Sequence, residues 1–211
     1  MIITHHKGEF FKVTFGDTTL AFNPISKKSK IGTTKFGADI ALVSLNHQDM
    51  NGVAEVTRSA KPLHIVDGPG EYEVNSVFIH GLPTESIYDP KNAINTIYAV
   101  NLEGMNILFL GALKDKQAMD LKITEEMDSV DILFVPIGND GVLTASEAQA
   151  LATTLEAKVV IPMHFDGLGT SGALKEFLKE AGAEDVKPVE KLTIKKKDLL
   201  EYNGNVVVIK S

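Results

Sequence analysis

The chain has 211 residues, 44% of them apolar and 23% charged, with a formal net charge of -7 and no cysteine. That length supports one substantial core, and a single domain over residues 1–211 is expected. The acidic balance disfavours nonspecific contact with a phosphate backbone or an anionic membrane. The absence of thiols excludes disulfides and cysteine-held zinc, leaving His, Asp and Glu to hold any metal.

The opening stretch "MIITHHKGEFFKV" has neither the charged region nor the apolar core of a signal peptide, and no apolar run approaches a membrane span, so a soluble cytoplasmic protein is expected. Phe11, Val13 and Phe15 alternate with Lys12 and Thr14, which reads as a strand, and Gly16–Asp17 turns it into "TTLAFNP" as a hairpin. Two basic clusters, Lys27, Lys28 and Lys30, then Lys195 to Lys197, read as solvated surface. "DIALVSL" from Asp39 is nearly continuous in apolar character and suits a strand covered on both faces.

The middle of the chain, with "VNSVFIHG", "NTIYAVNL" and "MNILFLG", is read as strands separated by turns, including a tight one at Glu103–Gly104. "DILFVPIGNDG" and "KVVIPMHFDG" repeat the form of the Asp39 segment: an apolar strand running into a polar loop with glycine. In α/β folds ligands collect beyond such strand ends, because the loops leaving them surround a crevice. Between these two strands, "TASEAQALATTLEA" is expected to be a helix with a Thr144–Glu147 capping box and Ala148, Leu151 and Leu155 on one face. "GALKEFLKEAGA" is a second helix, with Leu174, Phe177 and Leu178 as its stripe and Gly182 as its stop, and "LEYNGNVVVIK" carries an Asn-Gly hairpin signal. Hairpins followed by helix-connected strands indicate a mixed α/β (α+β) sandwich.

The succession "LAFNPIS", "VSLNHQDMNG", "DGPGEYEV", "FLGAL" and "VVIPMHF" resembles the metallo-β-lactamase superfamily over essentially the whole chain, especially its small bacterial branch of zinc-dependent hydrolases. The resemblance implies a four-layer αβ/βα sandwich with its site at one edge. In active relatives an H-x-H-x-D-H signature, a middle-loop His, a bridging Asp and a final His hold two zinc ions, and the hydroxide between them attacks an ester, amide or phosphodiester. With Asp49 as anchor, the first His of that signature is Leu45, the second is His47 and the last is Met50; the bridging Asp is Ala112, the early supporting Asp is Asn23, and the final His is His164. The middle-loop His belongs near Ser86 to Asp89, where there is no imidazole.

Leucine and alanine have no donor electrons and a thioether is a soft ligand, so the resemblance implies that no dinuclear site can form. His47, Asp49 and His164 remain as the candidate catalytic and metal residues. In the family pattern His47 serves one ion and the other two residues the second, so they suffice for at most one relocated divalent ion (Zn, Mn or Fe) if the loops converge. Without metal, Asp49 would cap the next helix and His47 would complete the same network.

The leading expectation is a noncatalytic member of this fold with no cofactor, its crevice kept for a small molecule or protein. The alternatives are a residual mononuclear hydrolase of esters or phosphodiesters and a structural scaffold or homo-oligomer; neither nucleic acid nor membrane is expected as a partner. His5 and His6 are adjacent on a strand and point to opposite faces, so at most one lines the crevice, while His64 and His80 sit within strands as structural histidines. "GPGEYEV" lacks the Lys and helix of a phosphate loop and reads as a turn, Glu71 and Glu73 share one strand face, and Ser44 lacks the nucleophile-elbow context.

Overall fold

The alternation at Phe11–Phe15 does produce a strand. In the computed structural model, which describes residues 1–58, 61–88, 93–118, 127 and 129–211, Phe11 and Val13 are buried while Lys12 and Thr14 are half-buried. This strand, β2 (Phe11–Phe15), follows β1 (Ile2–His5) and forms a hairpin with β3 (Thr18–Phe22), Phe15 facing Thr18 across Gly16–Asp17. β4 (Ile40–Leu42) and β5 (His64–Val66) continue the sheet in parallel, and β4 is buried on both faces as its apolar run requires. A short strand near the C-terminus, β12 (Leu192–Thr193), pairs with β1 to complete a six-stranded sheet in the order β12-β1-β2-β3-β4-β5.

The second sheet has seven strands. β6 (Gly70–Val74), β7 (Val77–Glu85), β8 (Ile94–Leu102) and β9 (Met105–Phe109) form an antiparallel meander. Its tight turns at Asn75–Ser76 and Glu103–Gly104 have positive φ at both central residues, the twist that a two-residue hairpin needs. From β9 the sheet turns parallel, through β10 (Ile132–Pro136), β11 (Val159–Met163) and β13 (Asn205–Val206).

The sheets pack face to face on a shared apolar layer in which Phe11, Phe22, Phe109 and Phe134 are fully buried. The Phe134 ring lies 4.8 Å from that of Phe11, 5.7 Å from Phe109 and 5.8 Å from Phe22. Outside the second sheet lie α2 (Ala145–Thr154) and α3 (Ala173–Glu180), which bury Leu151 and Phe177 against Leu133 and Val135. Thr144 caps α2 as expected: its hydroxyl accepts the Glu147 N–H at 3.2 Å, and the Glu147 carboxylate accepts the Thr144 N–H at 3.0 Å. Phe177 is the buried residue of the α3 stripe, with Leu174 and Leu178 half-buried, and the chain leaves α3 through Gly182 in the left-handed region. A further layer covers the outside of the first sheet. Among the described residues it holds one helical turn, α1 (Val53–Val56), with Phe10, Ile25 and Ala38 packed beside it.

The Asn-Gly signal does not make a hairpin. Residues Lys196–Glu201 wind as a 3-10 turn that buries Leu199, and β13 then pairs in parallel with β11. Pairing at the open edge of the second sheet outweighs the local turn preference of Asn203–Gly204. "GEYEV" is the edge strand β6 rather than a turn, with Glu71 and Glu73 both exposed on it. No helix among the described residues is long and apolar enough to cross a membrane.

Phe134→Ala should cost about 3–5 kcal/mol of stability through the cavity it leaves between the sheets, and Thr144→Ala about 1 kcal/mol through the lost cap. Urea unfolding followed by circular dichroism will measure both, and the two effects should add because the sites share no partner.

Candidate functional site

The parallel strands β3, β4, β10 and β11 all release their loops at one edge of the sandwich. There the backbone is sewn across the sheets: the Ser44 N–H donates to the Asn23 side-chain oxygen at 2.7 Å, and the Thr96 N–H donates to the Ser44 carbonyl at 2.7 Å. Gly111 follows β9 with φ 56°, and a Cβ there would stand 2.4 Å from the Asn95 side-chain oxygen and 2.5 Å from Ser44, so only glycine fits. Gly52 is equally constrained, since its Cβ would lie 2.3 Å from the backbone of Ile25.

Beneath this edge lies a fully buried polar group. Glu9, in the loop between β1 and β2, has no solvent exposure. Its Oε1 lies 2.6 Å from His164 Nδ1, and its Oε2 accepts from Asn23 Nδ2 at 2.7 Å. The Asn23 amide also contacts the Ser44 hydroxyl at 2.7 Å. Asn23 and His164 both adopt positive φ, 43° and 63°, conformations that L side chains hold only when their surroundings impose them. With Nδ1 engaged by Glu9, His164 Nε2 is buried without a hydrogen-bond partner among the described residues.

Above it stand His47, Asp49 and Tyr88. The Tyr88 hydroxyl donates to Asp49 Oδ2 at 2.9 Å, and its ring sits edge-to-face with both imidazoles, 5.1 Å from His47 and 5.1 Å from His164 between centroids. His47 Nδ1 is 3.3 Å from the Asp49 backbone nitrogen and 3.5 Å from Asp49 Oδ2. Burial and the bond to Asp49 push the Tyr88 phenol well above its ordinary pKa, so it is a neutral donor. The structure therefore brings His47, Asp49 and His164 to one place, with Tyr88 in contact with all three. Asp49 does not cap the following helix: α1 begins at Gly52 with no side-chain cap, and a phenol is the carboxylate's partner instead.

Leu45, Met50 and Ala112, which the resemblance sets at ligand positions, join Val142 in one buried apolar cluster with Tyr88 and Ala93 against it. That arrangement does not fit the family's metals. The cluster offers no suitable donor, Asp49 is bound by the phenol, and among the described residues no three His, Asp or Glu side chains are placed to hold one ion. At the mouth is a shallow cavity of about 290 Å³ lined by His47, Ile87, Tyr88, Asp140 and Gly141.

Two of these residues were missed in the sequence. Tyr88 lies in the stretch where the middle-loop His belongs, and its combined ring and hydroxyl is the only signal it carries. Asp89, the last residue of that window, lies outside the described residues. Glu9 had a signal, a lone carboxylate directly before Phe10 and Phe11 at the start of a strand. The remaining histidines sit in differing surroundings. His5 is buried with both ring nitrogens 3.2 Å from the carbonyls of Ile209 and Gly8, His6 lies against Phe10 and Phe36, His64 is exposed on β5, and His80 is half-buried on β7. Burial pushes the His6 pKa down to about 4.

Comparison with known proteins agrees with this architecture. The sequence pattern described as the Beta-lactamase superfamily domain matches residues 3–164. A protein of Listeria innocua named as a metal-dependent hydrolase is 25% identical over 201 residues, covering 79% of this chain and 86% of its own. One of Bacillus licheniformis with the same designation is 22% identical over 197 residues, covering 78% and 85%. Among solved structures, a Thermotoga maritima protein assigned to the zinc-dependent hydrolases of the metallo-beta-lactamase superfamily superposes with a TM-score of 0.76 at 25% identity, over 99% of this chain and 97% of that one. With its paired mixed sheets, its strand-end crevice and this match over most of its length, the chain belongs to the metallo-β-lactamase superfamily.

Proposed function

We propose that this protein is a noncatalytic member of its superfamily, its crevice kept as a surface that binds a small molecule or a protein segment. The observation that carries this reading is the use of the would-be ligand positions: Leu45, Met50 and Ala112 form a buried apolar cluster, and Asp49 accepts a hydrogen bond from Tyr88. A hydrolytic metal needs at least three protein donors and an open position for water. Of the donors that remain, Asp49 Oδ2 is engaged by Tyr88, and His164 is held through Nδ1 by Glu9.

The site also holds itself together without an ion. A fully buried carboxylate is costly unless its lone pairs are met, and Glu9 is met on both oxygens. Asn23 suits this task where an Asp would not, because its amide donates to Glu9 while a second carboxylate would face it with like charge. The binding surface in this reading is the mouth at His47, Ile87, Tyr88 and Asp140; Ile87 also lines a separate groove of about 890 Å³ together with Thr84, Glu85 and Lys114.

One observation favours a second reading. The unpartnered Nε2 of His164 suits a residual mononuclear hydrolase acting on esters or phosphodiesters through His47, Asp49 and His164. The phenol on Asp49 opposes it.

Protein purified without chelator should carry far less than one equivalent of zinc, manganese or iron by elemental analysis, and its Tm should not change when EDTA is added. Near-stoichiometric metal that disappears in His164→Ala, together with chelator-sensitive turnover of a generic phosphodiester or ester, would establish the second reading instead. Asn23→Asp should destabilise the fold by about 3 kcal/mol or more by leaving two carboxylates in one buried site, seen as a lowered urea midpoint with an unchanged m-value.

A further inference from the structure

We infer that Asn203–Gly204 is a site of covalent self-modification in the folded protein, where the asparagine closes to a succinimide and opens again to aspartate and isoaspartate. This holds whatever the crevice binds. The sequence contains two Asn-Gly pairs, Asn51–Gly52 and Asn203–Gly204. Glycine after the asparagine favours the reaction because, without a Cβ, nothing shields its nitrogen from the preceding side chain. Residue type therefore nominates both pairs alike, and the fold separates them.

Asn203, Gly204 and Asn205 are all exposed. Gly204 has φ 75°, and apart from its chain neighbours no atom lies within 4 Å of where its Cβ would stand. The hydrogen bond of this turn runs from the Asn203 N–H to Asn205 Oδ1 at 2.8 Å and engages neither reacting group. The turn also lines an open cavity of about 420 Å³, through which solvent reaches it. Strand pairing resumes at Asn205, whose N–H donates to the Lys158 carbonyl at 3.0 Å. Asn51–Gly52 is the opposite case. Gly52 is buried, its N–H donates to the Pro24 carbonyl at 2.6 Å, and the backbone of Ile25 lies 2.3 Å from where its Cβ would stand. The Asn51 side-chain nitrogen donates to Asn46 Oδ1 at 2.9 Å. There the attacking nitrogen and the amide that must leave are both held.

In the reaction the Gly204 backbone nitrogen loses its proton to solvent base and bonds to Asn203 Cγ, the Cγ–Nδ2 bond breaks, and ammonia leaves. Water then opens the ring. Cleavage between Cγ and the Gly204 nitrogen gives aspartate, and cleavage between the Asn203 main-chain carbonyl carbon and that nitrogen gives isoaspartate. One water replaces one ammonia, one negative charge is gained, and no oxidant or reductant takes part. The free space around Gly204 accommodates the ring and the rerouted chain without unfolding. At Asn51 the same step must wait for a local opening, and breaking the Gly52 hydrogen bond alone holds the reactive population down about tenfold.

The test is incubation of the purified full chain in mildly alkaline buffer, once folded and once in urea. Peptide mapping by mass spectrometry measures how fast each Asn-Gly peptide gains the mass of an acid in place of an amide, and an isoaspartate-specific carboxyl methyltransferase reads the isoaspartate separately. In the folded chain the Asn203 peptide should convert at least about tenfold faster than the Asn51 peptide, and in urea the two rates should converge. Asn203→Gln, whose side chain would have to close a larger and slower ring, should lose the fast methyl acceptor. Equal rates in the folded chain, or a faster Asn51, would overturn the inference, as would an Asn203 peptide that stays intact while the unfolded chain reacts. A gap that persists in urea overturns it as well, because the difference would then belong to the neighbouring residues and not to the fold. So does fast methylation that survives in Asn203→Gln.

Discussion

Glu9 sets the strictest condition on this structure. A carboxylate with no solvent exposure must have its charge answered at short range, because desolvating it costs several kcal/mol that distant charges cannot recover. The partners that answer it come from far apart in the sequence: His164 after β11 and Asn23 after β3, with Ser44 after β4 joined through Asn23. One buried group therefore ties the loop between β1 and β2 to three parallel strand ends and crosses from one sheet to the other. The left-handed backbone at Asn23 and His164 follows from this, since both side chains must turn back toward the same carboxylate.

Over that polar floor the crevice is closed by contacts of another kind. Leu45, Met50, Ala112 and Val142 meet in a small cluster separate from the main core, and Tyr88 covers it while satisfying Asp49. In a metal-dependent relative, coordinate bonds would hold these same loops to one another. Here, burying Leu45 and Met50 contributes about 1.5–3 kcal/mol each, and the hydrogen bonds of Asn23, Ser44, Asn95 and Tyr88 fix the register. Packing and hydrogen bonding thus position the loops at this edge.

Much of the fold could be read in advance because it is written in local patterns. The Phe11–Phe15 alternation, the Glu103–Gly104 turn and the Thr144–Glu147 box each act within a few residues, and each appears where the sequence places it. The Asn203–Gly204 hairpin failed for the opposite reason, since the pairing of β13 with β11 is decided by an open sheet edge some 45 residues back in the chain. The site divides in the same way. The apolar character of Leu45, Met50 and Ala112 was legible in the sequence, but the cluster that they form with Val142 under Tyr88 was not. Tyr88 reaches Asp49 across a separation of 39 residues and Glu9 reaches His164 across 155, and no periodicity or spacing encodes such contacts.

Those long-range partners also decide how the surviving donors should be understood. Read as letters, His47, Asp49 and His164 form a two-histidine, one-carboxylate set, which on its own invites assignment of a metal. Each has a protein neighbour in this fold: Asp49 a phenol, His164 a buried carboxylate, His47 the turn that Asp49 closes. A buried Asp cannot be exchanged freely for an apolar residue once a phenol depends on it, nor can His164 while Glu9 lies beneath it. Residue types common among metal ligands can therefore be held by protein partners, and those partners have to be read together with the residue types. Among the described residues Nε2 of His164 is buried without a hydrogen-bond partner, and the Tyr88 ring lies edge-to-face against that imidazole.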